Sequence, residues 1–269
     1  MRTLPGIAVT IALSVLLRQT PAQGCSIPLE RTRTSSVTTV QIGTAGPFRF
    51  LFDTGTSVTV ITPEVARRLG ITASETMQAM TATGAVDVQR AVLDDLLIGT
   101  VAIRRLEVLI APLPHFQSHG RLDGILGMDF LAGRSFLLDV AHRCVDVDAP
   151  VPARGSLIQS SDVVGRVALH VGELNFVLDS AASFTVLMSQ RAASLASVDD
   201  TVEVTSAAGR RRVVSGVIPR LRLGDLTLLD VPSAIVSKNT GGREDALLPV
   251  MFFSSVYVAA DRRSVILAR

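Results

Sequence analysis

Two aspartates, Asp53 and Asp179, are the residues of this sequence best placed to do chemistry. Each closes a hydrophobic run and opens a turn, in Phe50-Leu51-Phe52-Asp53-Thr54-Gly55 and again in Phe176-Val177-Leu178-Asp179-Ser180-Ala181. On its own an Asp-Thr-Gly is a tight turn, because Asp and Gly both favour one. A second acid in the same setting changes that meaning. An aspartate at the end of a buried strand is partly desolvated, which perturbs its pKa. If a pseudo-twofold axis brings both carboxylates together they cannot both ionise, and one proton is shared. The ionised member can then take a proton from water while the protonated member polarises a carbonyl. That is general acid–base hydrolysis of a peptide bond, with water as nucleophile and no metal or covalent intermediate. The sequence does not apportion the acid and base roles between the two.

The elements that must position these acids repeat as well. Ile98-Gly99 matches Leu223-Gly224, Asp123-Gly124-Ile125-Leu126 matches Asp245-Ala246-Leu247-Leu248, and Ser135-Phe136-Leu137 matches Ser255-Val256-Tyr257. Four matches in one order indicate an internal duplication. Val37–Ile42 and Phe48–Phe52 read as a hairpin around Gly43–Pro47, and Val167–Val171 with Asn175–Leu178 as its counterpart. Thr62–Gly70 has a cap, a proline at the first helical position and a terminal glycine, so a short helix is expected. Ser189–Ala196 is its weaker copy. The 269 residues are 48% hydrophobic and 19% charged, which excludes intrinsic disorder. Short runs of Val, Ile, Leu and Thr cut by Gly and Asp favour an all-β protein. The division expected is 1–24 as an export signal, 25–148 as an N-terminal lobe, 149–155 as a linker and 156–269 as a C-terminal lobe.

The signal reading rests on Arg2, the apolar core Ile7–Leu17 and the small residues of Ala22-Gln23-Gly24. Export would be to the periplasm, the cell envelope or the exterior. Of the two cysteines, Cys25 follows the cleavage candidate, where a lipid anchor could be attached. A Cys25–Cys144 disulfide and a free Cys144 are the other possibilities. Lys and Arg number 26 against 24 Asp and Glu, and two of the arginines fall within residues 1–24. A balanced mature chain offers no basic face, so nucleic acid is not an expected partner. No cofactor or metal is expected: His115 and His119 lie in a Pro- and Gly-containing loop with no third ligand in view. Gly209-Arg210-Arg211-Arg212 falls at a hairpin turn, either as a solvated tip or as an attractor of acidic substrate side chains.

Taken together, these motifs resemble the aspartic proteases of the pepsin and retropepsin type, over essentially all of residues 37–269. The strongest elements are Phe52-Asp53-Thr54-Gly55-Thr56-Ser57 and Asp123-Gly124-Ile125-Leu126-Gly127-Met128-Asp129-Phe130-Leu131. The resemblance implies a two-lobed all-β fold with pseudo-twofold symmetry and a few short helices. It implies Asp53 and Asp179 as the catalytic pair and Thr54 and Ser180 bonded across the lobes. Substrate contacts would come from Thr54, Gly55, Ser180, Ala181, Thr83 and Gly84, with Thr81–Gly84 as a flap. The compact lobes look like two fused retropepsin subunits, hence a monomer acting on a peptide or protein. Departures are Ala181 for Gly, Ala182 for a hydroxyl residue, and Leu248-Pro249 for Leu-Gly. A positive φ at residue 181 would strain Ala and tilt Asp179, and the missing hydroxyl would raise the Asp179 pKa. Two other readings stay open: a peptide-binding relative that does not cut, and a homodimer pairing Asp53 with Asp53 of a second chain.

Overall fold

A computed structural model describes residues 25–32, 36–81, 84–113, 121–206, 209–236 and 243–269. The described residues form mostly strands, and among them are two short α-helices, Pro63–Arg68 and Gln190–Ala193. Thr62 caps the first, its Oγ1 accepting from the Val65 N–H at 3.3 Å, and Ser189 caps the second, accepting from Ala192 at 3.1 Å. Among the described residues no helix is long and apolar enough to cross a membrane.

The duplication read from the sequence is present as a duplicated topology. In the first copy, neighbouring strands run Ser36–Ile42, Ala45–Phe52, Gly124–Leu126, Val60–Ile61, Val101–Ile110, Gly84–Ile98 and Glu75–Thr81. The second copy runs Arg166–Val171, Leu174–Asp179, Ala246–Pro249, Thr185–Leu187, Leu226–Ile235, Gly209–Leu223 and Ser197–Ser206, in the same spatial order. In both, the strand ending in the acid is flanked in parallel by a strand from far along the chain, Phe52 beside Leu126 and Asp179 beside Pro249. Parallel neighbours need a long crossover, which is why each acid is surrounded by its own lobe.

A sheet shared by both copies joins them. Phe136–Asp139 pairs antiparallel with Ser255–Val258, and Leu137 lies opposite Tyr257, its own counterpart in the repeat. Two equivalent residues can face each other in antiparallel register only across a twofold axis, so the axis passes here. Ile27–Pro28 extends this sheet along Cys144–Val147, and Cys25 is disulfide-bonded to Cys144. A sulfur in a disulfide cannot also carry a lipid thioether, so the cross-link and the anchor exclude each other. The cross-link points to an oxidising, non-cytoplasmic location.

The cores follow from the strand alternation. Phe48, Phe50, Phe52 and Phe176 are all buried, and Phe52 meets Phe130 edge-on at 6.1 Å. Asp123 and Asp245 serve matching structural roles: Asp123 Oδ2 accepts from the Arg49 N–H at 2.9 Å and Asp245 Oδ2 from the Asn175 N–H at 3.0 Å.

Candidate active site

Asp53 and Asp179 leave the ends of their strands at the junction of the lobes, and four hydrogen bonds lock the junction. The Thr54 N–H donates to Ser180 Oγ and the Ser180 N–H to Thr54 Oγ1, each at 3.0 Å. Thr54 Oγ1 donates to the Leu178 carbonyl and Ser180 Oγ to the Phe52 carbonyl, each at 2.8 Å. Each hydroxyl therefore donates and accepts across the axis, and neither buried group is left unpaired. The lock holds the two Asp-bearing turns side by side.

Gly55 shows how close they come. A Cβ on Gly55 would stand 2.6 Å from Asp179 Cγ and 3.1 Å from an Asp53 oxygen. Neither Gly55 nor Ala181 has a positive φ. The expectation of strain at Ala181 is therefore corrected: its backbone is one that any residue adopts, and its methyl packs against the apolar cluster of Leu51, Leu122 and Ile125.

The surroundings of the two acids differ. Asp53 is half-buried and accepts the Gly55 N–H at 2.8 Å and the Thr56 hydroxyl at 2.7 Å. Asp179 is only 7% exposed and accepts two N–H groups, from Ala181 at 2.7 Å and Ala182 at 2.9 Å. Ala182 stands where the first copy has Thr56, so Asp179 lacks the hydroxyl. Burial raises the Asp53 pKa, opposed by the Thr56 hydroxyl, the Gly55 N–H and the charge of Arg166. Burial and then the charge of Asp53 push Asp179 up to about 8.

Sequence reading had not singled out Arg166 for this site. Its Nη1 lies 3.5 Å from the Gly55 carbonyl and its Nη2 donates to Glu244 at 3.0 Å. Nothing in the local pattern marks it, since it reaches Gly55 from the other lobe. The hydroxyl that the resemblance places beside each acid is present as Thr56 at Asp53 and missing at Asp179.

Each lobe also carries a long hairpin. Glu75–Thr81 with Gly84–Ile98 form one, Ser197–Ser206 with Gly209–Leu223 the other. Thr81 Oγ1 and Ser206 Oγ meet at 3.0 Å, so the hairpins touch tip to tip. Gly84 closes the first tip, its N–H donating to Thr81 Oγ1 at 3.2 Å. Thr83, His115 and His119 lie outside the described residues, as do residues 1–24.

Two equivalent strand-rich lobes, locked at a pair of acid-bearing turns, define an internally duplicated acid protease. The aspartyl protease family profile matches the chain twice, over residues 37–130 and 165–252. The chain belongs to the retropepsin-like aspartyl proteases. No curated protein matches it.

Proposed function

We propose that the protein is an aspartic endopeptidase in which Asp53 and Asp179 of one chain form the catalytic pair. The observation that carries this reading is the reciprocal Thr54–Ser180 lock, which is made within a single chain and sets the two acids together. In the resting enzyme Asp53 is ionised and takes a proton from the attacking water. Asp179, kept protonated by burial and by Asp53, donates a hydrogen bond to the scissile carbonyl and stabilises the charge that develops there. Collapse of the tetrahedral intermediate returns a proton to the leaving amine.

The substrate would lie extended between the junction and the two hairpins. The Gly55 and Ala181 turns would form the floor, with Gly84 at one flap. The functional unit is one chain, with residues 25–148 and 156–269 as the lobes. The disulfide supports action after export.

Cleavage of a diverse peptide library between pH 3 and 8 tests this reading. Cutting within peptides that is blocked by pepstatin and lost in Asp53→Asn is expected. Cutting that survives the substitution would overturn it.

A further inference from the structure

The two hairpins that meet at Thr81 and Ser206 are equivalent in backbone but not in charge. In the second hairpin Val202 pairs with Val213, Val204 with Arg211, and Ser206 with Gly209. Residues directly opposite in an antiparallel pair share a face. Arg211 thus lies on the face carrying Val204 and Val213, both buried against the lobe in a cluster with Val186 and Met188. The same face carries Ser206, which reaches the other hairpin. The face runs from the lobe core to the tip contact, and Arg211 is between them.

In the proposed function the substrate runs between the acids and the two hairpins, so it would pass this face. An apolar void between the shared sheet and the junction is lined by Phe136, Leu138 and Val258 on one side and Thr54 and Leu178 on the other. The sheet and the Thr54–Ser180 lock are therefore neighbours along the axis, and Thr81 and Ser206, equivalent residues of the two copies, also meet across it. The equivalent of Arg211 in the first hairpin is Val86, opposite Ala79 and next to the buried Val88. Arg210 and Arg212 point to the other face, where Arg210 lies 3.7 Å from Glu203. Arg211 is exposed and has no ion-pair partner among the described residues.

We propose that Arg211 is a specificity residue that selects a carboxylate side chain of the substrate on the side of the scissile bond covered by the second hairpin, the other side being met by Val86. This deepens the endopeptidase reading and rests on it. A guanidinium offers a forked pair of donors that a carboxylate fits and an amide of equal size does not.

The test uses the full chain and peptide pairs that differ only by Glu or Gln at each position flanking the cut. The expected result is a Glu:Gln ratio in kcat/KM of about five to ten at one position, shrinking with added salt. The ratio falls to about one in Arg211→Val, is reduced but not abolished in Arg211→Lys, which keeps the charge and loses the fork, and is unchanged in Arg210→Ala. The same ratio is read as dissociation constants with uncleavable reduced-amide peptides, so an inactive enzyme defeats the catalytic reading while still testing Arg211. A ratio near one at every position in the wild type, or one that Arg211→Val leaves unchanged, overturns the proposal.

Discussion

Thr59 and Thr185 are equivalent residues of the two copies, yet only Thr59 has partners. Thr59 Oγ1 donates to Asp129 at 2.7 Å and accepts the Gly127 N–H at 3.1 Å. Thr185 Oγ1 is buried without a hydrogen bond. The cause is visible in the sequence: Pro249 stands for Gly127 and has no N–H, and Met251 stands for Asp129. The first lobe has kept a polar brace beneath its acid and the second has lost it.

Thr185→Val removes an unpaired hydroxyl from an apolar site at nearly constant volume. Its stability should be unchanged or higher by up to ~1 kcal/mol. Thr59→Val takes one donor from the half-buried Asp129 carboxylate, which keeps the Thr59 and Phe130 N–H groups, and leaves the Gly127 N–H without its acceptor. A loss of about 2–3 kcal/mol is expected, and chemical denaturation of both variants checks the contrast.

Stability should also depend on pH through Asp179. Its pKa is near 3.8 unfolded and about 8 folded, so the unfolded chain releases the proton first. The folded state is therefore penalised progressively as pH rises from about 4 to about 8, and no further above that. Asp179→Asn should be more stable than wild type at pH 7, on the order of a few kcal/mol, with the gap closing at pH 4. Thermal melts across this range would expose an error if the gap stayed constant.

The pH–rate profile should extend into the neutral range and fall as pH passes through about 8, where Asp179 ionises. Ala182→Ser supplies Asp179 with the hydroxyl that Thr56 gives Asp53 at 2.7 Å. Its basic limb should move down by about one pH unit. A wild-type optimum near pH 2 would contradict this account of the pair.

Gly55→Ala places a methyl 2.6 Å from Asp179 Cγ. The acid must shift, and a displacement of this kind costs about 100-fold in kcat. Ala181→Gly relieves no strained φ, so it should leave the rate within about threefold. A large gain from Ala181→Gly would mean that its methyl obstructs catalysis.

The all-β class, the duplication and the positions of both acids were legible because they rest on local patterns: alternating strands, Asp-containing turns, a capped first helix. The Thr54–Ser180 pairing followed from the family resemblance. What stayed hidden depends on contacts between distant segments. The shared sheet puts Leu137 opposite Tyr257, and Arg166 reaches Gly55 from the other lobe. No local spacing encodes either. The strain expected at Ala181 failed for a different reason: the glycine of the first motif answers the neighbouring carboxylate rather than a left-handed backbone.

The central claim is that one chain supplies both members of the catalytic pair. Peptide cleavage by monomeric Asp179→Asn, alone and mixed with Asp53→Asn, tests it most directly. The account predicts loss of at least about 10³-fold in kcat/KM for each variant, with no recovery on mixing. Full activity of Asp179→Asn would contradict it, and would place the reaction in an Asp53–Asp53 pair between two chains.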